Sequence, residues 1–392
     1  SEMRTMCVTS IMFSLIHSEI SGAVYDDAIK TELTSSERLK ELYELSSRHD
    51  AAHIVASALS KANLLGDDAV SEAFKKALKI AIYRDAQREY TIEQIVSLFE
   101  NAKIPHILLK GSVIKKYYPF SWIRTSCDID VLVKKEDTDS AMKTLLNTGY
   151  VRTEDTSDCD YSFAAPNKVH IELHFTLVQD GELTAADKIV NTVWDTVILE
   201  QGKSYSYNMP AEMFIFYHLI HLGKHLLHGG CGIRPVVDLW LLENKMSYDK
   251  YLLNNMLSAC GLTTLYETVS ALGEVWLENR EHTEKTLILE KYIINGGTYG
   301  KFESSMVVQM KKRGGKIMYL LSKIFVSYDE LKLHYPLLEN HKALMPIMEV
   351  CRWFKLIFGG HMKRITKDIK RNNSISKDVV ENTESVLDII GL

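Results

Sequence analysis

The sequence predicts an α+β protein in which a small mixed-sheet core is flanked by N-terminal and C-terminal helical regions. Apolar residues recur at three- and four-residue steps through most of the first hundred positions, and again from Ala211 onward, as in helices buried along one face. Between about 104 and 205 the period shortens to two, the pattern of half-buried strands. The expected division is therefore 1–103 helical, 104–205 α+β, and 206–392 helical with a basic tail.

Bulk composition is that of an ordinary globular protein: 392 residues, 46% hydrophobic, 25% charged, net charge −5. That supplies apolar residues for two or three domains and excludes a polycation that grips nucleic acid by global charge. Six scattered cysteines without a CxxC pair fit a reducing cytoplasm, which is the expected location.

The run from Cys7 to Ile16 carries Ser10 and Ser14, soon meets His17 and Glu19, and lacks a small-residue cleavage site. It is too short to span a bilayer and is expected to be a docked helix, with no membrane partner. "SERLKELYELSSRHD" and "SEAFKKALKIAIYRDAQREYTIEQIVSLFENAK" continue the helical period, with a fresh turn expected at Thr91 and Glu93-Gln94. "IPHILLK" (104–110) and "CDIDVLV" (127–133) are expected strands. "DTDSAMKTLLNTG" reads as a helix stopped by its glycine, and "YSFAAP" and "KVHIELHFTLV" as further strands. Helices return with "AEMFIFYHLIHLGKHLLHG", "VVDLWLLENK" and "NNMLSACGLTTLYETVSALGEVWL". Between about 300 and 372, fifteen Lys and Arg face six Asp and Glu, either a solvated surface or one that meets an acidic substrate.

The chemistry concentrates in the strands. Side chains alternate across a strand, so Asp128 and Asp130 share one side while Ile129, Val131 and Val133 take the other. Two adjacent carboxylates repel, and a hard divalent cation such as Mg²⁺ or Mn²⁺ relieves that cost. The alternative is a solvated edge strand with two surface aspartates. In "VHIELHF", Glu172 stands between His170 and His174 on the polar face. If this strand lies beside the first, Glu172 completes a three-carboxylate cluster able to hold two metal ions; otherwise it belongs to a solvent-facing stripe. Gly111-Ser112 follows an apolar run, and such a strand-to-helix turn can cradle a phosphate on helix N–H groups and the Ser112 hydroxyl, with Lys110 in reach. By itself Gly-Ser is a common turn.

"LLKG" at 108–111, Arg124 and "DIDVLV" at 128–133 together resemble the DNA polymerase beta-type nucleotidyltransferase superfamily. More narrowly they resemble the bacterial family of uncharacterised nucleotidyltransferases, which reads Leu-Lys-Gly, Arg, then Asp-Ile-Asp-Leu-Leu-Val. "LIHLGKHLLHGGCGIRPVVDLWLL" is similar to that family's His…His…Asp segment, at His221, His225 and Asp238, and "FVSYDELKLHYPLLENHKALMPIMEVCRWF" to its C-terminal segment. The chain departs from the pattern at Cys127, where a small residue is common.

The resemblance implies that Asp128, Asp130 and Glu172 ligate two Mg²⁺ ions, Mn²⁺ being an alternative, that bridge an NTP, with ATP favoured. Glu172 would lie nearest an acceptor hydroxyl as a candidate general base, and Lys110, Gly111 and Ser112 would hold the β- and γ-phosphates. Arg124 would contact phosphate or brace its loop. The implied reaction moves NMP to a hydroxyl of a small molecule, a protein or peptide, or RNA, releasing pyrophosphate. Two rivals remain: a non-catalytic NTP-binding regulator, and a toxin- or antitoxin-type transferase acting on tRNA or protein.

His218, His221, His225 and His228 step along one helix face beside Lys224. They either contact substrate or bond within a helix interface, and Asp238, if it faces His225, would orient that ring. Tyr328, Tyr335 and Trp353 are expected to be core. Lys311, Lys312, Arg313, Lys363, Arg364 and Lys367 are expected to form a solvated face, with RNA contact as the other reading.

Overall fold

Period-two stretches assemble into one seven-stranded mixed sheet in a computed structural model that describes residues 6–156, 159–178, 183–297, 302–312, 341–348 and 377–392. The strands are β1 (His106–Leu108), β2 (Asp128–Val133), β3 (Val151–Thr156), β4 (Asp160–Ala164), β5 (His170–His174), β6 (Ile198–Leu199) and β7 (Ser206–Asn208). Their order is β3-β4-β5-β2-β1-β7-β6. β2 with β5 and β1 with β7 are parallel, and the other pairs are antiparallel. The α+β expectation holds. β3, β6 and β7 were not anticipated: the six-residue β3 carries "VRTEDT", which lacks an apolar alternation, while β6 has two residues and β7 three.

Before the sheet come α1 (Val8–Ser21), α2 (Asp27–Glu32), α3 (Ser36–Arg48), α4 (Ala52–Lys61) and α5 (Ala69–Asn101). Within it lie α6 (Gly111–Ile114), α7 (Thr138–Asn147) and α8 (Thr184–Val190). After it come α9 (Ala211–Leu227), α10 (Arg234–Lys245), α11 (Lys250–Ala259), α12 (Thr263–Glu278), α13 (Glu284–Gly296), α14 (Phe302–Lys312) and α15 (Lys377–Ile390).

Two of the expected breaks fall differently. α5 runs without a fresh turn at Thr91, whose buried hydroxyl donates back to the Gln87 carbonyl at 2.8 Å; the helix starts instead at Asp68, which accepts from the N–H groups of Val70 and Ser71. The long "NNMLSACGLTTLYETVSALGEVWL" run divides into α11 and α12 at Gly261, whose φ of 70° suits glycine.

The two faces of the sheet bury different things. Ile129, Val131, Val133, Phe163, Ile171 and Leu173 pack with Ile95 and Phe99 of α5 and with Ala141 and Leu145 of α7. A larger core joins the N-terminal helices to the C-terminal ones: Phe13 of α1 stacks on Trp276 of α12 with ring centroids 4.2 Å apart. The apolar run from Cys7 to Ile16 is thus a docked helix, with Ile11, Met12, Leu15 and Ile16 buried. Among the described residues no helix is long and apolar enough to cross a membrane. Tyr328, Tyr335, Trp353, Arg313, Lys363, Arg364 and Lys367 lie outside the described residues.

Candidate active site

With the even-spaced apolar side chains of β2 and β5 buried on one face, their polar partners are forced onto the other. The parallel register then sets Asp128 opposite His170 and Asp130 opposite Glu172. Ligand atoms of Asp128, His170 and Glu172 lie within 4.8 Å of one another, as do those of Asp130, Glu172 and His174. Glu172 belongs to both groups, so each aspartate singled out in the sequence shares a candidate metal group with it.

Two cations already serve this cluster. Lys110 Nζ is 2.5 Å from Asp130 Oδ1 and 3.9 Å from Glu172 Oε2. His174 Nε2 is 3.0 Å from the same Asp130 oxygen and 3.3 Å from Glu172 Oε2. Burial alone would raise the Asp130 carboxyl, but the Lys110 ammonium and then His174 outweigh it and hold the group well below the usual carboxylate range. Burial would lower His174, yet its bonds to Asp130 and Glu172 carry it up to about 9, so the ring is charged at neutral pH. Asp128 gets less relief: burial, then the Asp130 and Glu172 charges, outweigh the Lys110 charge and push its carboxyl up.

The donor set fits a hard divalent ion. Each group joins two carboxylates to an imidazole, and the Lys110 ammonium stands beside Asp130 and Glu172. The identity of the ion is not set by these ligands alone.

Gly111 is demanded by its neighbour. A Cβ there would lie 2.1 Å from Ser126 Oγ and 3.3 Å from Ser126 Cβ, so only glycine lets the loop after Arg124 pass. Ser112 is buried, but the turn is not a free N–H cradle. The Ser112 N–H donates to the Leu109 carbonyl, and those of Val113 and Ile114 donate to that of Lys110. This four-residue helix spends the N–H groups of Ser112, Val113 and Ile114 within its own turn, and the Ser112 hydroxyl is a further polar group there.

Arg124 braces. Its Nε lies 2.9 Å from each Asp238 carboxylate oxygen and its Nη2 2.8 Å from Oδ2. Asp238 also accepts from the Tyr118 hydroxyl at 2.7 Å and is 0% exposed. Asp238 does not face His225, because α10 turns it inward onto Arg124. His225 instead meets His221, Nε2 to Nε2, at 3.0 Å. Burial and then the Lys110 charge lower both rings, His225 to about 4. Lys224 lies 3.2 Å from buried Asp187, and His218 bonds the Pro235 carbonyl.

Three participants escaped the sequence. His174 stood on the right face, yet nothing in its spacing distinguished it from His170 as a partner of Asp130. Tyr217 of α9 is fully buried, and burial raises its hydroxyl while the charges of Lys110, Asp130 and Glu172 act on it; an aromatic inside an apolar helix gave no signal. Ser126 is visible only through its contact with Gly111.

A model of the uncharacterised nucleotidyltransferase family matches residues 35–278, more than half of the chain. The chain belongs to that family. It is a nucleotidyltransferase, so its general chemistry is NMP transfer from an NTP substrate. The matched residues include β1 to β7 and reach the end of α12, and so contain Lys110, Asp128, Asp130, Glu172 and Asp238. No curated protein and no solved structure matched the chain.

Proposed function

We propose that the polar face of β2 and β5 is the catalytic centre of a Mg²⁺-dependent nucleotidyltransferase of the DNA polymerase beta type. In this reading it moves NMP from an NTP, ATP favoured, to an acceptor hydroxyl and releases pyrophosphate. The register that faces Asp130 with Glu172, beside Asp128, is the observation that carries it.

Asp128, Asp130 and Glu172 would hold two divalent ions, Mg²⁺ or Mn²⁺. Bound there, such ions supply positive charge to the α-phosphoryl oxygens and the leaving pyrophosphate. Glu172, a quarter exposed, is the acid open to an acceptor and takes its hydroxyl proton. Lys110 and the Ser112 hydroxyl meet the β- and γ-phosphates, with Gly111 keeping the loop close. Arg124 holds that loop through Asp238. The neutral His221–His225 pair lies within reach of the Lys110 charge and borders the acceptor side. The acceptor is a small molecule, a protein side chain or an RNA end. A bacterial, cytoplasmic enzyme suits the same resemblance and the thiols of Cys7, Cys127, Cys231 and Cys260, none of which is in a disulfide among the described residues.

The test is transfer of label from each α-³²P NTP to components of a cell extract with Mg²⁺. Asp128→Ala with Asp130→Ala is expected to cut transfer by about 10³-fold. Activity that survives both substitutions would refute the site, and NTP binding without turnover under any metal would favour the regulatory reading.

A further inference from the structure

Lys110 holds a backbone conformation, φ 44° and ψ −123°, that glycine adopts freely and L side chains rarely do. Glycine is available one residue later, but Gly111 has no positive φ and is needed for a different reason, the approach of Ser126. The chain therefore keeps a lysine where its backbone is strained, and what the strain achieves lies at the far end of the side chain. Nζ reaches Asp130 Oδ1 at 2.5 Å and lies 3.9 Å from Glu172 Oε2, in a side chain 22% exposed.

The same Asp130 oxygen also receives His174. An oxygen with two nitrogen partners already within hydrogen-bond distance has little left for a third, and a divalent ion among these carboxylates would stand beside an ammonium of its own sign. We propose that Lys110 is a resident cation, bound in the carboxylate cluster, that a divalent ion must displace. This rests on the reading of Asp128, Asp130 and Glu172 as metal ligands.

Displacement gives the lysine its second task. Its four-carbon stem is flexible and its ammonium is a strong phosphate partner. The triphosphate that arrives with the ion takes the charge that the carboxylates release. Ion and nucleotide then bind cooperatively, and each tightens the other by the same factor. Without nucleotide, the lysine keeps the cluster closed to stray cations.

Mn²⁺ alone is the probe, followed by the loss of its free-ion paramagnetic resonance signal on the full chain without nucleotide. Lys110→Met is expected to bind Mn²⁺ at least tenfold tighter than the unsubstituted protein, and Mn²⁺ should raise its melting temperature by more. Lys110→Gly, which also relieves the backbone, should behave alike and covers the case in which the first variant does not fold. If Asp130→Asn abolishes Mn²⁺ binding but neither Lys110 variant binds more tightly, the displacement proposal is wrong while the metal-ligand reading stands. If Mn²⁺ binding survives Asp130→Asn, or is missing from the parent and both Lys110 variants, the metal-ligand reading fails and takes this proposal with it.

Discussion

Asp238 and Asp130 are both buried carboxylates that touch a cationic side chain, and they are built to opposite rules. Asp238 is one acid matched to one guanidinium and one hydroxyl, with both oxygens engaged and no exposure. Asp130 sits among three acids on two strands, and it draws Lys110 and His174 to a single oxygen. Asp128 is left with the repulsion, and its carboxyl is pushed up by burial and by its acidic neighbours. A balanced cluster behaves as a strut. A cluster with surplus like charge has no structural reason to persist, which is why it marks chemistry.

The sharpest way to break this contrast is to remove one carboxylate from each side. Asp238→Ala leaves the Arg124 charge buried and unpaired and is expected to lower unfolding stability by about 3–5 kcal/mol in urea titrations. Asp128→Asn, without metal, should shift stability the other way, upward by about 0.5–1 kcal/mol, because it removes like-charge repulsion. Losses of equal size at both positions would end the distinction.

A third kind of buried polar group sharpens it. His49 is 1% exposed; among the described residues it has no ionic partner, its Nε2 bonds the Ile294 carbonyl, and its Nδ1 has no hydrogen-bond partner. Burial pushes the ring down from 6.5 to about 4, beyond what the carbonyl returns. Above pH 6.5 both folded and unfolded chains hold it neutral, and its stability contribution is fully present. As pH falls toward 4 the unfolded chain gains a proton that the folded one refuses, so stability is lost, by up to about 3 kcal/mol. Melting temperatures measured from pH 7 to pH 4 should fall less steeply in His49→Gln than in the parent.

Gly111 joins the strut to the catalytic face, since its missing Cβ admits Ser126 beside Arg124. Gly111→Ala is expected to cost about 1–3 kcal/mol in stability by overpacking. Adding Ser126→Ala removes the hydroxyl at 2.1 Å and should recover part of that loss. No recovery in chemical denaturation of the double variant would place the conflict elsewhere.

Much of this was legible in the chain. Alternation along "DIDVLV" and "VHIELHF" assigns each acid to the polar side of its strand, because the intervening Ile129, Val131, Ile171 and Leu173 must be buried. The long amphipathic runs likewise announced their helices, since the periodicity of α3 and α9 is carried by many residues. Short elements such as β6 and β7 carry too few residues to show a period, and they are held by pairing with strands distant in sequence. The partner of Asp238 was hidden for the same reason: it follows His225 by thirteen residues across the turn between α9 and α10, but the orientation of α10 aims it at Arg124, 114 residues away.

By itself, then, the sequence determined the strands that carry the acids, which side of each of those strands is polar, and that carboxylates crowd one short segment. Those properties follow from local periodicity and the need to bury apolar side chains. Only the tertiary structure decided that β5 lies parallel beside β2, that Lys110 reaches Asp130, and that Arg124 is spent on Asp238. Pairing register and side-chain partnership depend on contacts between distant parts of the chain, and no local pattern encodes them.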